Sequence, residues 1–286
     1  MSRFTIWYEL ENKIENLKTH YTKIAITPYL DAIPLIAGLE DEPQVKVFKS
    51  PPAAMLNMLE MRKVDIALLP SIDLQFANSD LRVLHSGIIA AKNKCATVKL
   101  FSKKPLGKIT TIACDNESHT EVILAHVILR EFYGGKPQML RYDYPAGNCA
   151  EADAILLIGD KAINPTIHES FREYQFDLAQ AWFNCTGSGF VFAFWACRRG
   201  FKAESVTAVL NNVLKSNLDR LDKLAVQYAP IHKWSVAKAK ECLTQDMSYS
   251  FGTKKMKALK SFYHLAFKHE LIRRQRLLYW ATGNYR

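Results

Sequence analysis

The sequence predicts an α/β protein built as two lobes, with further helices at its C-terminal end. Short apolar segments each end at a cap or proline signal and continue into a helical pattern, and this alternation occurs in two successive blocks. After Gly200 the apolar spacing is helical throughout. Alternating strand and helix patterns are typical of βαβ units with parallel strands. With 286 residues, 49% of them apolar, the chain can fill two cores.

In the first block, each apolar segment runs into a residue that favours a helix start. The predicted strands are residues 23–27, 45–48 and 65–69, and the predicted helices are a segment beginning near Pro34 and residues 53–62. Ser, Asp or Pro follows each strand, where it caps free amides or presets φ.

The second block repeats this pattern. Its predicted strands are residues 97–102, 110–114, 138–142, 154–158 and 190–197. Ser118 and Glu121 have capping-box spacing and open a predicted helix over residues 122–133, which Gly134 ends. The predicted C-terminal helices are residues 203–217, 221–228, 235–243 and 253–272.

The longest apolar run argues against a membrane span. Residues 190–197 are eight apolar residues in a row, whereas a bilayer needs about 20. A run of this length, rich in Phe and Val, indicates a strand buried on both faces. We expect no membrane association.

The charge is unevenly distributed. The net charge is +10, and residues 199–286 hold 17 basic and 6 acidic residues. This asymmetry raises the hypothesis of nucleic-acid binding through the C-terminal helices. No recognition motif accompanies it, so solvated helix faces are the favoured interpretation and nucleic acid is not expected as a partner.

Cysteine spacing and the N-terminus indicate a reducing compartment. The six cysteines form no CxxC pair and no His cluster stands beside them, so no metal site is predicted. Charged residues, among them Glu9 and Lys13, interrupt residues 1–21, so we expect no export signal. The predicted location is the cytoplasm, with the thiols acting as small core residues.

Polar residues follow the predicted strands in both blocks, and they are the first candidates for a binding site. They are Asp31, Ser50, Ser71, Ser118, Thr120 and Asp160. Taken singly, each is most simply a helix cap. As a set at the ends of strands, they offer the hydroxyls and backbone donors that a small anion needs.

Several motifs occur together and in order between residues 22 and 198. They are YLDAIPL at 29–35, VDIALLPS at 64–71, IAAKNKCATVKLFS at 89–102, DNESHT at 115–120, ADAILLIGD at 152–160, DLAQAW at 177–182 and TGSGFVFA at 186–193. This series resembles the chorismate dehydratases of the futalosine menaquinone pathway.

The resemblance implies a two-lobed, periplasmic-binding-protein-like fold of the second type, with a cleft between the lobes. It places the chain crossings near residues 91–96 and 195–199. Lobe 1 would then comprise residues 1–93 and 199–286, and lobe 2 residues 94–198. It implies loss of water from chorismate to give 3-[(1-carboxyvinyl)oxy]benzoate, without metal or organic cofactor, on a small carboxylated ring substrate. The oligomeric state is not predicted.

The strand-end pattern and the resemblance together give the expected site residues. Asp31 is the expected catalytic residue, and the expected substrate-binding residues are Tyr29, Ser50, Ser71, Asn93, Thr97, Ser118, His119, Thr120, Asp160 and Thr186. The chain departs from the family pattern at several of its motif positions. It has Asp31 for Asn, Ala91 for Ser, Asn93 for Gly, Lys94 for Pro, His119 for Arg and Gly189 for Pro.

Asp31 is the departure with the largest chemical consequence. An ionised Asp31 about 5 Å from a ligand carboxylate costs about 3 kcal/mol at an effective dielectric near 20, roughly a hundredfold in affinity. Asp31 is therefore protonated in the complex, or the ligand differs. It is also a candidate general base, which Asn is not, and its simplest structural role is a helix N-cap. A non-catalytic protein that binds a small carboxylate in the same two-lobed fold is the alternative function.

Overall fold

The computed structural model describes residues 21–281, so nearly all of the segment on which the export prediction rests lies outside the described residues. Within that range the strands form two mixed sheets, which confirms the α/β class. The larger sheet has six strands, which are β1 (Thr22–Ile26), β2 (Val45–Lys49), β3 (Ile66–Pro70), β4 (Leu81–Ala91), β10 (Phe190–Arg198) and β11 (Met247–Ser248). They lie in the order β11-β4-β10-β3-β1-β2.

The smaller sheet comes from the middle of the chain. Its five strands are β5 (Val98–Ser102), β6 (Thr111–Asp115), β7 (Gln138–Tyr142), β8 (Ala154–Ile158) and β9 (Tyr174–Asp177). They lie in the order β7-β6-β8-β5-β9.

Each sheet contains the parallel βαβ arrangement that the sequence predicts. β1 pairs in parallel with β2 and β3, with Thr22 opposite Val45, and β6 pairs in parallel with β7 and β8. The strands β10 and β5 are antiparallel to their neighbours. The carboxyl ends of β1, β3 and β8 therefore supply the loops on which a ligand site is expected.

Helices cover both sheets. They are α1 (Ile33–Ile36), α2 (Met55–Glu60), α3 (Asp73–Phe76), α4 (Thr120–Tyr133), α5 (Leu178–Thr186), α6 (Glu204–Leu218), α7 (Leu221–Tyr228), α8 (Val236–Glu241) and α9 (Thr253–Lys268). Gly134 ends α4, as predicted, and it adopts the left-handed conformation. No helix within residues 21–281 has both the length and the apolar content to cross a membrane.

The chain leaves the larger sheet after Ala91 and enters the smaller one at Val98, which agrees with the first predicted crossing. The second crossing, predicted at 195–199, is wrong. Phe190–Arg198 is strand β10, and it lies between β3 and β4 in the larger sheet. The return therefore occurs between α5 and Phe190, because a strand buried on both faces belongs inside a sheet and not at a hinge. The bounds of the lobes otherwise remain a prediction.

Aromatic rings pack where the two lobes meet. Trp182 of α5 contacts Phe190 edge-to-face with ring centroids 5.6 Å apart, and Phe190 contacts Phe262 of α9 at 4.9 Å. All three are almost fully buried. All six cysteines are free, and Cys95, Cys114, Cys197 and Cys242 are buried.

Candidate active site

A narrow cavity, part of it open to solvent, lies between the two sheets. Its apolar wall includes Leu68 and Pro70 at the end of β3, Ile89 of β4 and Phe192 of β10. Val98 and Gly159 come from the smaller sheet and its following turn. The cavity therefore lies at the strand ends of both lobes, where the sequence predicts a site.

Tyr29 closes one side of the cavity and joins the two lobes. Its ring lies so close to Gly159 that a Cβ there would be 2.7 Å from ring atoms, and Gly159 has a φ of +60°. The Tyr29 hydroxyl donates to Glu117 Oε2. Lys161 Nζ holds the same carboxylate, at 2.7 Å from Glu117 Oε2. Burial and the Glu117 carboxylate raise the pKa of Tyr29, so the phenol keeps its proton.

Asp31 faces the cavity from the turn after Tyr29. Its backbone lies inside a single 3₁₀ turn, Leu30–Ala32, whose N-cap is Tyr29, so the expected role of Asp31 as a helix N-cap is wrong. The residue is 7% exposed. Burial raises the pKa of its carboxyl to about 6, with Asp160 adding to the rise and the Thr97 hydroxyl and His232 opposing it. Of the predicted site residues, Tyr29, Asp31 and Thr97 line this cavity.

Two threonine hydroxyls in the cavity wall have no partner of good hydrogen-bond geometry within the described chain. They are Thr27 Oγ1 and Thr97 Oγ1, on residues that are 4% and 1% exposed. Buried polar atoms are nearly always hydrogen-bonded in folded proteins. Both threonines line the cavity, so a ligand there would satisfy their hydroxyls.

Glu121 is a second carboxyl group in the cavity, and sequence reasoning assigned it only to a capping box. It is 8% exposed, and its Oε2 accepts a hydrogen bond of 2.7 Å from the Ser118 hydroxyl. Burial raises the pKa of Glu121 to about 7, against the hydrogen bonds from Ser118 and its own backbone amide. The signal available in the sequence was a Glu directly after a motif expected to bind an anion.

Three of the predicted site residues, Thr120, His119 and Asp160, connect the lobes through hydrogen bonds, whereas a fourth, Ser71, bonds within the larger sheet. Thr120 Oγ1 accepts from the Ile72 amide at 3.2 Å, His119 Nδ1 lies 2.8 Å from Asp73 Oδ1, and the Ser71 hydroxyl donates to the Val191 carbonyl at 2.8 Å. Asp160 accepts from Trp234 Nε1 at 2.8 Å and pairs with His232 Nδ1 at 2.6 Å.

The hydrogen bond to Asp73 raises the pKa of His119. His119, Thr120 and Asp160 thus form a seam between the lobes beside the cavity. His232 and Trp234 belong to a loop that carried no sequence motif.

The remaining predicted residues do not line this cavity. Ser118 lies behind Glu121 and is buried. Thr186 donates to the Trp182 carbonyl of its own helix at 2.8 Å, Ser50 is half-buried and Asn93 is exposed. Their roles as substrate contacts remain predictions.

Two departures from the family pattern meet behind the cavity. A Cβ on Gly189 would lie 2.9 Å from the Lys92 carbonyl oxygen and closer still to that of Ala91. Ala91 ends β4 and pairs with Phe190 at the start of β10. The small residues Ala91 and Gly189 therefore allow these two strands to approach closely.

Within residues 21–281, no group of three or more His, Cys, Asp or Glu side chains is arranged to hold a metal ion. The cavity combines two buried carboxyl groups of raised pKa, unsatisfied hydroxyls and apolar walls. Such a set can transfer protons in a site from which water is largely excluded.

Comparison with known proteins agrees with this geometry. A family model described as menaquinone biosynthesis matches residues 22–268. A chorismate dehydratase of Thermus thermophilus is 29% identical over 195 residues, covering 63% of this chain and 72% of that protein.

Solved structures show the same fold. Protein AF1704 of Archaeoglobus fulgidus matches with a TM-score of 0.70 at 16% identity, over 89% of this chain and all of that one. The Candida albicans protein CA3427, described as having the generic periplasmic binding protein fold, matches with a TM-score of 0.60 at 12% identity, over 90% of this chain and 92% of that one. The two-lobed fold expected from the sequence is thereby confirmed.

Proposed function

The chain belongs to the menaquinone biosynthesis family, and on that basis we propose that it is a hydro-lyase that converts chorismate to 3-[(1-carboxyvinyl)oxy]benzoate. The family match over residues 22–268 is the observation that carries the proposal. We further propose that it works in the cytoplasm, where a biosynthetic substrate of this kind is made.

The reaction needs little more than orientation and proton transfer. The ring hydrogen beside the enolpyruvyl ether is acidified by conjugation to the ring carboxylate, and departure of the neighbouring hydroxyl makes the ring aromatic. The protein has to hold the ring, stabilise the enolate-like charge with hydrogen-bond donors and exclude water. The apolar wall and the hydroxyls of Thr27 and Thr97 suit these tasks.

We assign Asp31 as the general base. It is buried in the cavity, and its pKa of about 6 makes it mainly ionised at neutral pH while it remains a stronger base than an exposed Asp. A base has to be ionised when the substrate is bound, so this role replaces the protonated Asp31 expected above and accepts the repulsion of an anionic substrate. The C–H bond breaks, its proton passes to the Asp31 carboxylate, and its electron pair forms the new ring double bond as the hydroxyl leaves.

The test is incubation of the purified chain with chorismate, followed by ultraviolet absorbance and mass spectrometry. We expect a product lighter by one water. In Asp31→Asn, kcat should fall by about 10²–10⁴-fold, the usual contribution of a general base. Its KM should be unchanged or lower, because a negative charge beside an anionic substrate is removed.

Two results would contradict these assignments. Tight binding of chorismate or another carboxylate without turnover would favour the binding-protein alternative. Full activity of Asp31→Asn would show that Asp31 only orients the substrate, as an Asn would.

A further inference from the structure

Loss of water requires an acid as well as a base, because hydroxide is a poor leaving group. Resting on the proposed function, we propose that Glu121 is the general acid that donates a proton to the departing hydroxyl. The C–O bond breaks as this O–H bond forms, so the hydroxyl leaves as water. Glu121 is left ionised and Asp31 protonated, and one proton exchange between them or with solvent restores the starting state.

The geometry favours Glu121 over other proton donors. Among the described residues lining the cavity, Asp31 and Glu121 are the carboxylic acids. The Tyr29 phenol is already engaged as a donor to Glu117. Threonine hydroxyls bind oxygen atoms well, but they are too weakly acidic to protonate a leaving group.

A purely structural role explains the position of Glu121 less well. In a capping box, the Glu side chain bonds to the backbone amide of the cap residue. Here Glu121 Oε2 instead accepts a hydrogen bond from the Ser118 hydroxyl. Glu121 is only 8% exposed and lines the cavity. A helix-capping Glu has no need of burial, which costs free energy when the group is charged.

Burial is the main reason that Glu121 keeps its proton. The Asp31 carboxyl adds to this effect, and the neighbouring His119, paired with Asp73, opposes it. Burial raises the pKa of both carboxyl groups, that of Glu121 to about 7 and that of Asp31 to about 6. Two carboxyl groups in one site tend to share one proton, and the group with the higher pKa holds it. An anionic substrate strengthens this preference.

The experiment compares the wild-type chain with Glu121→Gln, Glu121→Asp and Glu131→Gln. Glu131→Gln is the matched control, since Glu131 lies on the same helix, α4, and pairs with Lys268 and His269 away from the cavity. We expect Glu121→Gln to lower kcat by about 10²–10⁴-fold with little change in KM. Glu121→Asp should retain part of the rate, and the control should behave as wild type.

Two further readouts separate acid catalysis from structural support. In the wild type, kcat/KM should fall above about pH 7 as Glu121 loses its proton, and Glu121→Gln should lack this alkaline limb. A chorismate analogue with fluorine in place of the departing hydroxyl needs less protonation, so Glu121→Gln should process it at nearly the wild-type rate.

The possible failures are distinguishable. If the wild type is active and Glu121→Gln retains both its kcat and the alkaline limb, the assignment of Glu121 is wrong and the proposed function stands. An equal loss of rate with the fluoro analogue would likewise overturn it. If the folded wild type leaves chorismate unchanged, the proposed function itself fails and the assignment fails with it.

Discussion

At the scale of single residues, the site is defined by two carboxyl groups that are costly to bury. Asp31 and Glu121 are 7% and 8% exposed, and burial raises both of their pKa values. Asp31 was predictable, because it stands within a motif expected to touch the substrate. Glu121 was not predictable, because its spacing from Ser118 is that of an ordinary capping box. Only its burial, which the sequence does not report, distinguishes it from a capping residue.

This burial has a measurable effect on stability. Because both pKa values are raised on folding, the native state binds more protons than the unfolded state between pH 4 and 7. The free energy of unfolding should therefore fall as pH rises through this window, by about 3 kcal/mol for each group.

Asp31→Asn and Glu121→Gln should each remove one of these losses. The difference between the free energy of unfolding of each variant and that of the wild type should therefore rise by about 3 kcal/mol from pH 4 to pH 8, as measured by urea denaturation. Glu40→Gln, at an exposed ion pair with Lys49, is the control and should run parallel to wild type. Parallel curves for all three variants would show that neither buried carboxyl titrates abnormally.

At the scale of elements, most strands and helices were predictable and the long strand β4 was not. Its sequence, LRVLHSGIIAA, contains the polar stretch His85-Ser86-Gly87, which interrupts any apolar run or alternation. The structure gives a reason for Gly87. A Cβ there would lie 2.6 Å from Leu214 Cδ2 and even closer to Leu35 Cδ2, so glycine allows helices to pack onto the strand. Such a requirement arises from distant residues, and local sequence does not report it.

The close packing of Gly189, which precedes β10, against the end of β4 leads to a prediction about stability. Gly189→Ala should destabilise the chain by about 1–3 kcal/mol, because the added Cβ meets backbone oxygens that have to move. Thermal unfolding should show this as a loss of about 2–4 °C per kcal/mol.

The matched control for this variant is Gly252→Ala, where a Cβ would have no heavy atom within 4 Å. Its melting temperature should change far less than that of Gly189→Ala. Equal melting temperatures for the two variants would contradict the packing argument.

At the scale of the whole molecule, the two lobes are joined by side chains that the sequence analysis predicted to contact the substrate. His119, Thr120 and Asp160 bond across the seam. The sequence identified these positions correctly as strand ends and helix starts. It could not distinguish contact with a ligand from contact with the other lobe, because both use the same donors and acceptors.

The hydrogen bond between Tyr29 and Glu117, which also joins the two lobes, leads to a prediction about opening of the cleft between them. Tyr29→Phe removes the hydroxyl that donates to Glu117, and a hydrogen bond to a charged group contributes about 1.5–3 kcal/mol. The population of the form with separated lobes should increase about tenfold or more in Tyr29→Phe. Small-angle X-ray scattering should then give a larger radius of gyration for the variant than for the wild type.

Tyr174→Phe is the control for this variant, since Tyr174 lies on the edge strand β9 of the smaller sheet. Its scattering should match that of the wild type. A Tyr29→Phe variant as compact as the wild type would show that other contacts keep the lobes closed.

The position of β10 has a consequence for the order in which the molecule assembles during translation. All five strands of the smaller sheet lie between residues 98 and 177, so that sheet can form from one continuous stretch of nascent chain. The larger sheet cannot close until residues 190–198 have been made, because β10 alone bridges β3 and β4. Until then β4 presents an unpaired apolar edge, a hazard for aggregation. During translation, the smaller sheet from the middle of the chain can thus be complete before the larger sheet, which contains the first four strands.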